Sequence, residues 1–171
     1  TDVSGILMAD PRLVDNPQAI PEVTYDELRE LSYSGASVLH EDAIFPVREK
    51  NIPLNIRNTN RPEDNGTMIV PESEELPTDG IVTGIAGKKD FAVIRIEKDL
   101  MNSEVGFVQK VLEVITAHGM CFEHLPSGID TMTVFVHQDE FMHKEQQVVA
   151  ALHRLANPDV IDIESDLALI A

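Results

Sequence analysis

The chain has 171 residues, of which 43 % are hydrophobic, and it carries a formal net charge of −17. This length and composition allow one ordinary domain or two small ones, each with a packed core. The acidic balance argues against binding to nucleic acid or to an anionic membrane surface, because either partner would need a basic face. No apolar run approaches the ~20 residues of a transmembrane helix, and no signal peptide is visible at the start.

Cysteine and histidine give no sign of a metal or disulfide framework. The single cysteine, Cys121, excludes an intramolecular disulfide and is typical of a reducing compartment, so we expect a cytoplasmic protein. We predict that Cys121 is a small core residue in a strand. His118 and His124, like His137 and His143, lack the spacing of metal ligands on one helix face, and we predict no metal site.

The first elements in chain order are two predicted helices and a strand. In "TYDELRELSYSGA", Glu27 follows Thr24 by three residues, which is the capping-box pattern of a helix start, and Gly35 can end that helix. "SVLHEDAIFPVREKN" predicts a second helix, kinked or restarted at Pro46. "IPLNIRN" alternates apolar and polar residues from Ile52 onward, which predicts a half-buried strand, and "RPEDNGT" predicts a turn.

A boundary between two parts of the chain follows at "PESEELPTDG", residues 71–80, where acids, prolines and a glycine favour neither helix nor strand. Beyond it, "IVTGIAG" predicts a short strand and "FAVIRIE" a central strand that is apolar on both faces. "VGFVQKVLEVITAHG" predicts a helix that begins near Val105 and stops at Gly119. "MCFEHL" and "TMTVFVH" predict a hairpin, "KEQQVVAALHRLA" a helix, and "VIDIES" and "LALIA" two further strands.

From Phe91 onward the predicted order is strand, helix, strand, strand, helix, strand. This order predicts an α/β fold of the ferredoxin-like type, in which helices cover one face of an antiparallel sheet. Such a sheet leaves a face and edges that need cover, so we expect two such modules to pair. The final "LALIA" would be the first strand of a second unit. That unit would be either truncated or completed by earlier strands such as "IVTGIAG".

The start of the helix near Val105 is the best candidate for a binding site. The chain has no nucleophile elbow, Walker A motif or dinucleotide fingerprint. The first N–H groups of a helix lack intrahelical partners, and Gly106 allows a ligand to come close, so the site suits a carboxylate. Alternatively, Asn102 or Ser103 simply caps the helix. Three nearby acids could bind an amine: Glu104, Glu123 and Asp130. A ligand with both a carboxylate and an amine is an amino acid.

Five segments together carry a resemblance to a known family. They are "TDVSGILMADPR", "TYDELRELSYSGASVLH", "IPLNIRNTNRPEDNGTMI", "VTGIAGKKDFAVIRIEKDLMNSEVGF" and "FEHLPSGIDTMTV". In this order they resemble the C-terminal part of bacterial aspartate kinases, over essentially the whole chain. The resemblance implies that residues 1–70 end an amino-acid-kinase catalytic domain, that 71–80 are a linker, and that 81–171 are an ACT regulatory region. The first ACT unit would span about 91–160, and a second would start at about 161–171.

For the full-length enzyme, the resemblance implies transfer of phosphate from ATP, with Mg, to the side-chain carboxylate of L-aspartate. This reaction opens the biosynthesis of lysine, threonine and methionine. The family's nucleotide-site residues correspond to Thr1, Asp2 and Arg12. The chain departs from the common pattern at Leu7, where an aromatic residue is usual, and at Ser37 and Glu41, where lysine and proline are usual.

The family's N-terminal segment with its catalytic lysine has no counterpart in these 171 residues. We therefore assign no catalytic residue to this chain, and we expect it to be inactive alone and to hold no bound cofactor.

The resemblance also implies an effector site that lies across a dimer of ACT units. The positions that match the segment holding the effector's α-carboxylate and α-amino group are Met101, Asn102, Ser103, Gly106 and Phe107. The opposite wall would consist of Glu123, Ser127 and Asp130. The acids favour lysine as the effector, with threonine as the alternative.

Two other interpretations remain open: a stand-alone amino-acid-binding ACT module that regulates another protein, and a dimerisation module without a ligand. The upstream "TDVSG" and "DPR" motifs favour the aspartate kinase, because a free-standing sensor has no use for part of a kinase lobe.

Overall fold

The structure is a computed structural model that describes residues 1–33, 39, 41–71 and 82–171. Its chain divides into two compact units, Thr1–Lys88 with Leu169–Ala171, and Lys89–Ala168. The predicted linker, apart from Pro71, and the predicted helix end at Gly35 lie outside the described residues. The predicted division into catalytic and regulatory domains therefore stays a prediction.

The first unit contains a small two-stranded sheet and a three-stranded sheet. Strand β1 (Ile6–Leu7) pairs antiparallel with β2 (Ala19–Ile20). In the second sheet, β5 (Thr67–Val70) lies between β3 (Glu22–Thr24), which is parallel to it, and β4 (Leu54–Ile56), which is antiparallel. The helices of this unit are α1 (Tyr25–Tyr33) and α2 (Glu41–Glu49).

The predicted capping box at the start of α1 is confirmed. The Glu27 amide donates to Thr24 Oγ1 at 3.2 Å, and the Thr24 amide donates to Glu27 Oε2 at 2.9 Å. The other carboxylate oxygen of Glu27 accepts a hydrogen bond from Thr83 Oγ1 at 2.7 Å. Burial opposes ionisation of Glu27, but the hydrogen bonds from Thr83 and Thr24 outweigh it and lower the pKa of the carboxyl group.

Three expectations for the first unit are corrected. Helix α2 continues through Pro46 instead of restarting there. Ile52 lies before β4 and is exposed, so the strand is shorter than its alternating pattern predicts. Among the described residues of "IVTGIAG", only the final Gly87 is in a strand, because the backbone of residues 85 and 86 bonds to other segments instead.

The second unit has the predicted ferredoxin-like arrangement. Its sheet has the order β7-β8-β6-β9, with β7 and β6 both antiparallel to β8. The strands are β6 (Gly87–Glu97), β7 (Phe122–His124), β8 (Thr131–His137) and β9 (Val160–Ile170). The helices are α3 (Phe107–Ala117), α4 (Gln138–Met142) and α5 (Glu145–Leu155). Alternate residues of β6 and β8 pack with α3 and α5 in one core, including Ile94, Val134, Val111 and Leu152.

Helix α3 follows its predicted pattern at Phe107, Val111 and Ile115. Two residues predicted on the same inward face differ, because Val108 is exposed and Leu112 is half-buried. The helix buries Phe107, Val111, Val114 and Ile115, which recur at helical spacing, and it begins two residues later than predicted. It ends in a Schellman motif: the amide of Gly119 donates to the Thr116 carbonyl and that of Met120 to the Ile115 carbonyl. Gly119 is in the left-handed region, with φ of 61°.

The sequence interpretation of the chain end is wrong in one respect. "VIDIES" and "LALIA" form one strand, β9, rather than two. The polar residues between them do not end the strand, because Asp166 takes a left-handed conformation and its amide donates to Gln138 Oε1 at 2.6 Å. The short helix α4 that carries Gln138 was not predicted. Cys121 is exposed and precedes β7, so the prediction of a core residue is also wrong.

Candidate effector and nucleotide sites

The loop before α3 is anchored by two of the predicted site residues. Met101 and Phe107 point into the core, which fixes both ends of the loop. Residues Met101–Ser103 form a 3₁₀ turn after Leu100, whose φ is 58°. Asn102 and Ser103 are exposed on this turn. The loop can therefore offer a ligand its backbone and its two polar side chains, whereas its apolar side chains hold it in place.

The start of α3 is open. Gly106 takes the N-cap position with φ of 80°, and no side chain in the described part of the chain caps the helix. Ser103 Oγ instead donates to Asn102 Oδ1 at 3.3 Å, so the alternative in which one of these residues caps α3 is wrong. A Cβ placed on Gly106 would lie 4.0 Å from Gln109 Oε1, the nearest described atom. This leaves space for a carboxylate at the helix start.

Glu104 is engaged by two lysines of its own chain. Its Oε1 accepts a hydrogen bond from Lys110 Nζ at 2.7 Å, and Lys98 Nζ lies 3.9 Å from Oε2. The hydrogen bond from Lys110 is the main reason why the pKa of Glu104 is lowered. Glu104 therefore has its charge matched within the chain, which makes it a weak candidate for binding the amine of a ligand.

The predicted opposite wall is divided between the two ends of the β7–β8 hairpin. The Asp130 carbonyl accepts from the Lys98 amide at 2.9 Å, so Asp130 lies beside the start of the loop, and exposed Ser127 pairs with Met132 nearby. Glu123 lies at the other end, where its Oε1 is 2.8 Å from His137 Nε2. The seven residues of β8 between these ends span roughly 20 Å. One chain therefore does not gather all eight predicted residues around one amino acid.

His137 is a feature that the sequence interpretation missed. Its ring stacks on Phe91, with centroids 5.1 Å apart, and Phe91 is directly opposite it in the β6–β8 ladder. The Glu123 side chain that it contacts is only 12 % exposed. The hairpin register would have revealed this pair, because His137 and Glu123 both lie near the open end of the predicted hairpin.

One flank of α3 is apolar although it faces away from the core. Val105, at 95 % exposure, and Val108 are exposed, and Leu112 is half-buried along the same flank. The neighbouring element in sequence is β7, an edge strand on which Phe122 is exposed. Exposed apolar residues beside an unpaired strand edge are typical of a surface that another protein covers.

The predicted nucleotide residues lie on exposed parts of the first unit. The guanidinium group of Arg12 donates to Asp10, with Nη2 2.6 Å from Oδ2 and Nε 3.0 Å from Oδ1. The hydrogen bonds from Arg12 lower the pKa of Asp10 to about 2, and the pKa of Arg12 is raised in turn. The Thr1 carbonyl is bound by Thr59, and Asp2 follows it. A phosphate that binds Arg12 must compete with Asp10 for the guanidinium group.

A series of backbone hydrogen bonds connects the end of β9 to β1. Ala171 and Ala86 exchange two bonds, with N···O distances of 2.9 and 3.0 Å. The next residue, Ile85, donates from its amide to the Met8 carbonyl at 2.7 Å. Met8 directly follows β1 and precedes the loop that contains Arg12. Within the first unit, Ile85 is thus hydrogen-bonded to the residue that follows β1, and its neighbour Ala86 to Ala171, the residue after β9.

Over the residues that the structure describes, no group of three or more histidine, cysteine, aspartate or glutamate side chains could hold a metal ion. The helices in these same ranges are all too short or too polar to cross a membrane.

Comparison with known proteins supports the family resemblance. The amino acid kinase family matches residues 1–58. Aspartokinase 3 of Bacillus subtilis (strain 168) is 41 % identical over 99 % of this chain, which covers 37 % of that protein. The crystal structure of aspartate kinase from Clostridium acetobutylicum, described as an allosteric enzyme, superposes with a TM-score of 0.90 at 50 % identity; the match covers 99 % of this chain and 39 % of that one.

A more distant structure, E. coli aspartokinase III in complex with lysine and aspartate, shares the fold with a TM-score of 0.71 at 22 % identity, over 99 % of this chain and 37 % of that one. The chain thus combines a segment similar to the amino acid kinase family with a ferredoxin-like unit. Along its whole length the chain is homologous to aspartate kinases, and it spans less than two fifths of the length of these relatives.

Proposed function

We propose that this chain is the C-terminal part of an aspartate kinase, containing the end of the catalytic domain and an ACT regulatory region. The full-length enzyme transfers phosphate from ATP, with Mg, to L-aspartate and forms 4-phospho-L-aspartate in the cytoplasm, as the first step toward lysine, threonine and methionine. The observation that carries this proposal is the continuous similarity to aspartokinases over 99 % of the chain. In the proposed division, residues 1–70 belong to the catalytic domain, 71–80 are a linker and 81–171 are regulatory.

The proposed regulatory role rests on the geometry at the start of α3, which suits an amino acid ligand. The Phe107 amide donates to the Glu104 carbonyl at 3.4 Å, so a carboxylate at the start of α3 would be attracted by the next amides and the helix dipole, and Gly106 leaves room for one. The exposed Asn102 and Ser103 can bind the α-amino group, and Asp130 lies beside the same loop. We assign lysine as the effector, with threonine as the alternative, and the lysine complex of the E. coli relative supports this choice.

A dimer explains why Glu123 lies far from the loop in one chain. An amino acid is much shorter than the ~20 Å length of β8, so Glu123 can join the site only if a second copy brings its own Glu123 to the loop. The apolar flank of α3 and the free edge of β7 are suited to such a contact. Effector binding would then stabilise one arrangement of the dimer.

Backbone hydrogen bonds within the first unit join the residue after β9 to the segment that follows β1. Ala171, Ala86 and Ile85 connect the end of β9 to Met8, which precedes the Arg12 loop. If effector binding shifts the end of β9, these hydrogen bonds would displace the segment in which we place Thr1, Asp2 and Arg12 at the ATP site. Inhibition requires only that the effector-bound arrangement binds nucleotide less well.

The proposal is tested by kinase assays of the full-length protein and of this chain. We expect ATP- and aspartate-dependent phosphorylation by the full-length protein, inhibited by lysine or threonine, and none by the chain alone, because groups from several segments must position the phosphoryl transfer. A full-length protein without aspartate kinase activity would instead favour a stand-alone ACT module. Activity without any response to amino acids would favour a module that only dimerises.

A further inference from the structure

The segment Thr1–Ser4 is held by two consecutive side chains that follow β4. Thr59 donates twice to the Thr1 carbonyl, from its amide at 2.9 Å and from Oγ1 at 2.6 Å. Asn58 Nδ2 donates to Ser4 Oγ at 3.1 Å. These bonds join residues more than fifty positions apart, so they fix where the segment lies on the first unit and not merely its local turn.

The amide group of Asn58 is itself held in place. Asn58 is only 8 % exposed, and its Oδ1 accepts a hydrogen bond from the Asn60 amide at 2.9 Å. The backbone carbonyl of the same residue accepts from the Arg61 amide at 3.3 Å. With Oδ1 used by its own loop, Nδ2 is directed to Ser4. A buried polar side chain with fixed partners is rigid, because any other orientation of it would leave a hydrogen-bond donor unsatisfied.

A second support holds the other end of the segment. Thr67, which is fully buried, accepts at Oγ1 from the Ile6 amide at 2.7 Å and donates to the Ile20 carbonyl at 2.6 Å. Asp2 and Val3 lie between the two supports and are exposed. The backbone is therefore fixed on both sides of Asp2 while its side chain stays on the surface.

We propose that Asn58 and Thr59 are positioning residues for nucleoside triphosphate binding, acting through Thr1 and Asp2. This inference rests on the proposed function, in which Thr1 and Asp2 belong to the ATP site. A displacement of a binding group by about 1 Å is enough to weaken a positioned interaction strongly. Asn58 and Thr59 need not touch the nucleotide to determine its affinity.

The test uses the full-length protein and the pair Thr59→Val and Thr59→Ser. Valine keeps the amide donor and the branched shape but removes the Oγ1 donor, whereas serine keeps both donors. We expect Thr59→Val to raise KM for ATP about fivefold with kcat nearly unchanged, because one hydrogen bond is lost. Calorimetric titration with ADP should show the same rise in Kd. Thr59→Ser should stay within about twofold of the parent in both measurements.

Thr133→Val, the same change on β8 of the second unit, is the matched control and should leave both constants unchanged. A Thr59→Val protein whose KM for ATP and Kd for ADP both stay within twofold of the parent overturns the inference. Equal losses in kcat and in KM for ATP and aspartate also overturn it, since they indicate a general structural role. If the full-length protein shows no kinase activity, the proposed function fails, and the ADP titration alone decides this inference: no ADP binding, or unchanged binding in Thr59→Val, rejects it.

Discussion

At the scale of single residues, the two glycines that flank α3 allow a controlled test of the effector site. Gly106 and Gly119 both have positive φ, of 80° and 61°, and a Cβ on either would meet no described atom closer than 4.0 Å. Alanine at either position therefore brings similar backbone strain, of about 1 kcal/mol. The two substitutions differ mainly in the end of the helix that they affect.

We expect Gly106→Ala to weaken effector binding about tenfold or more, because its methyl group takes the space over the first amides of α3. Gly119→Ala should lower stability by a similar amount and leave effector binding within about twofold. Calorimetric titrations of the two variants, compared with urea denaturation of each, separate the effects. Equal effector affinities for the two variants would show that the effector does not bind at the start of α3.

At the scale of elements, the cap of α1 has a predicted pH dependence. The folded pKa of Glu27 lies below its ordinary value of 4.5, so its bonds stabilise the protein above about pH 4.5, and this contribution is lost as the pH falls through the lowered pKa. Thr83→Val removes the donor to Glu27 Oε1 and should lower the free energy of unfolding by roughly 0.5–1.5 kcal/mol at about pH 7. We expect a value toward the lower end, because Glu27 is partly exposed.

Urea denaturation of Thr83→Val and of the parent, from about pH 7 down to about pH 4, measures this difference. The gap between the two proteins should narrow toward the acidic end. Thr133→Val serves as a control, because Thr133 belongs to β8 of the second unit and takes no part in the capping box. A gap that stays constant over the whole range would show that the ionised form of Glu27 does not carry the effect.

The sequence predicted those elements whose signal is local. The capping box at Thr24, the central strand from Phe91 and the α3 stripe with its glycine end were all correct, because propensity, periodicity and end signals agree there. Strand β9 was split in the prediction, since the side chain that bridges its polar residues, Gln138, comes from a distant segment. Residues 85 and 86 bond to Met8 and Ala171, which are also remote in sequence.

The candidate site was predictable to a similar extent. The open helix start at Gly106 follows from local sequence, and it is present. The distance between Asp130 and Glu123 depends on hairpin register, and the engagement of Glu104 by Lys98 and Lys110 depends on side-chain packing. Neither property has a sequence pattern of its own. The apolar flank of α3 was not predicted, because Val108 and Leu112 were assigned to the core-facing stripe of the same helix.

At the scale of the whole molecule, the flank of α3 predicts self-association. We expect the chain to be a homodimer at tens of micromolar, because Val105 just before α3 and Val108 on α3 are exposed and β7 is an edge strand. Val108→Glu should shift the mass measured by light scattering toward the monomer without lowering the helix content. Gln147→Glu, which adds the same single charge at an exposed position of α5, is the control and should have a smaller effect. A parent protein that is monomeric with and without amino acids would contradict the predicted dimer.

The most direct measurement of the central claim is a calorimetric titration of this chain with L-lysine, L-threonine and L-methionine. We predict saturable binding of lysine, or of threonine in its place, and a loss of that binding in Gly106→Ala but not in Gly119→Ala. The absence of saturable binding for all three amino acids at millimolar concentrations would contradict the claim that the ferredoxin-like unit is an amino acid sensor.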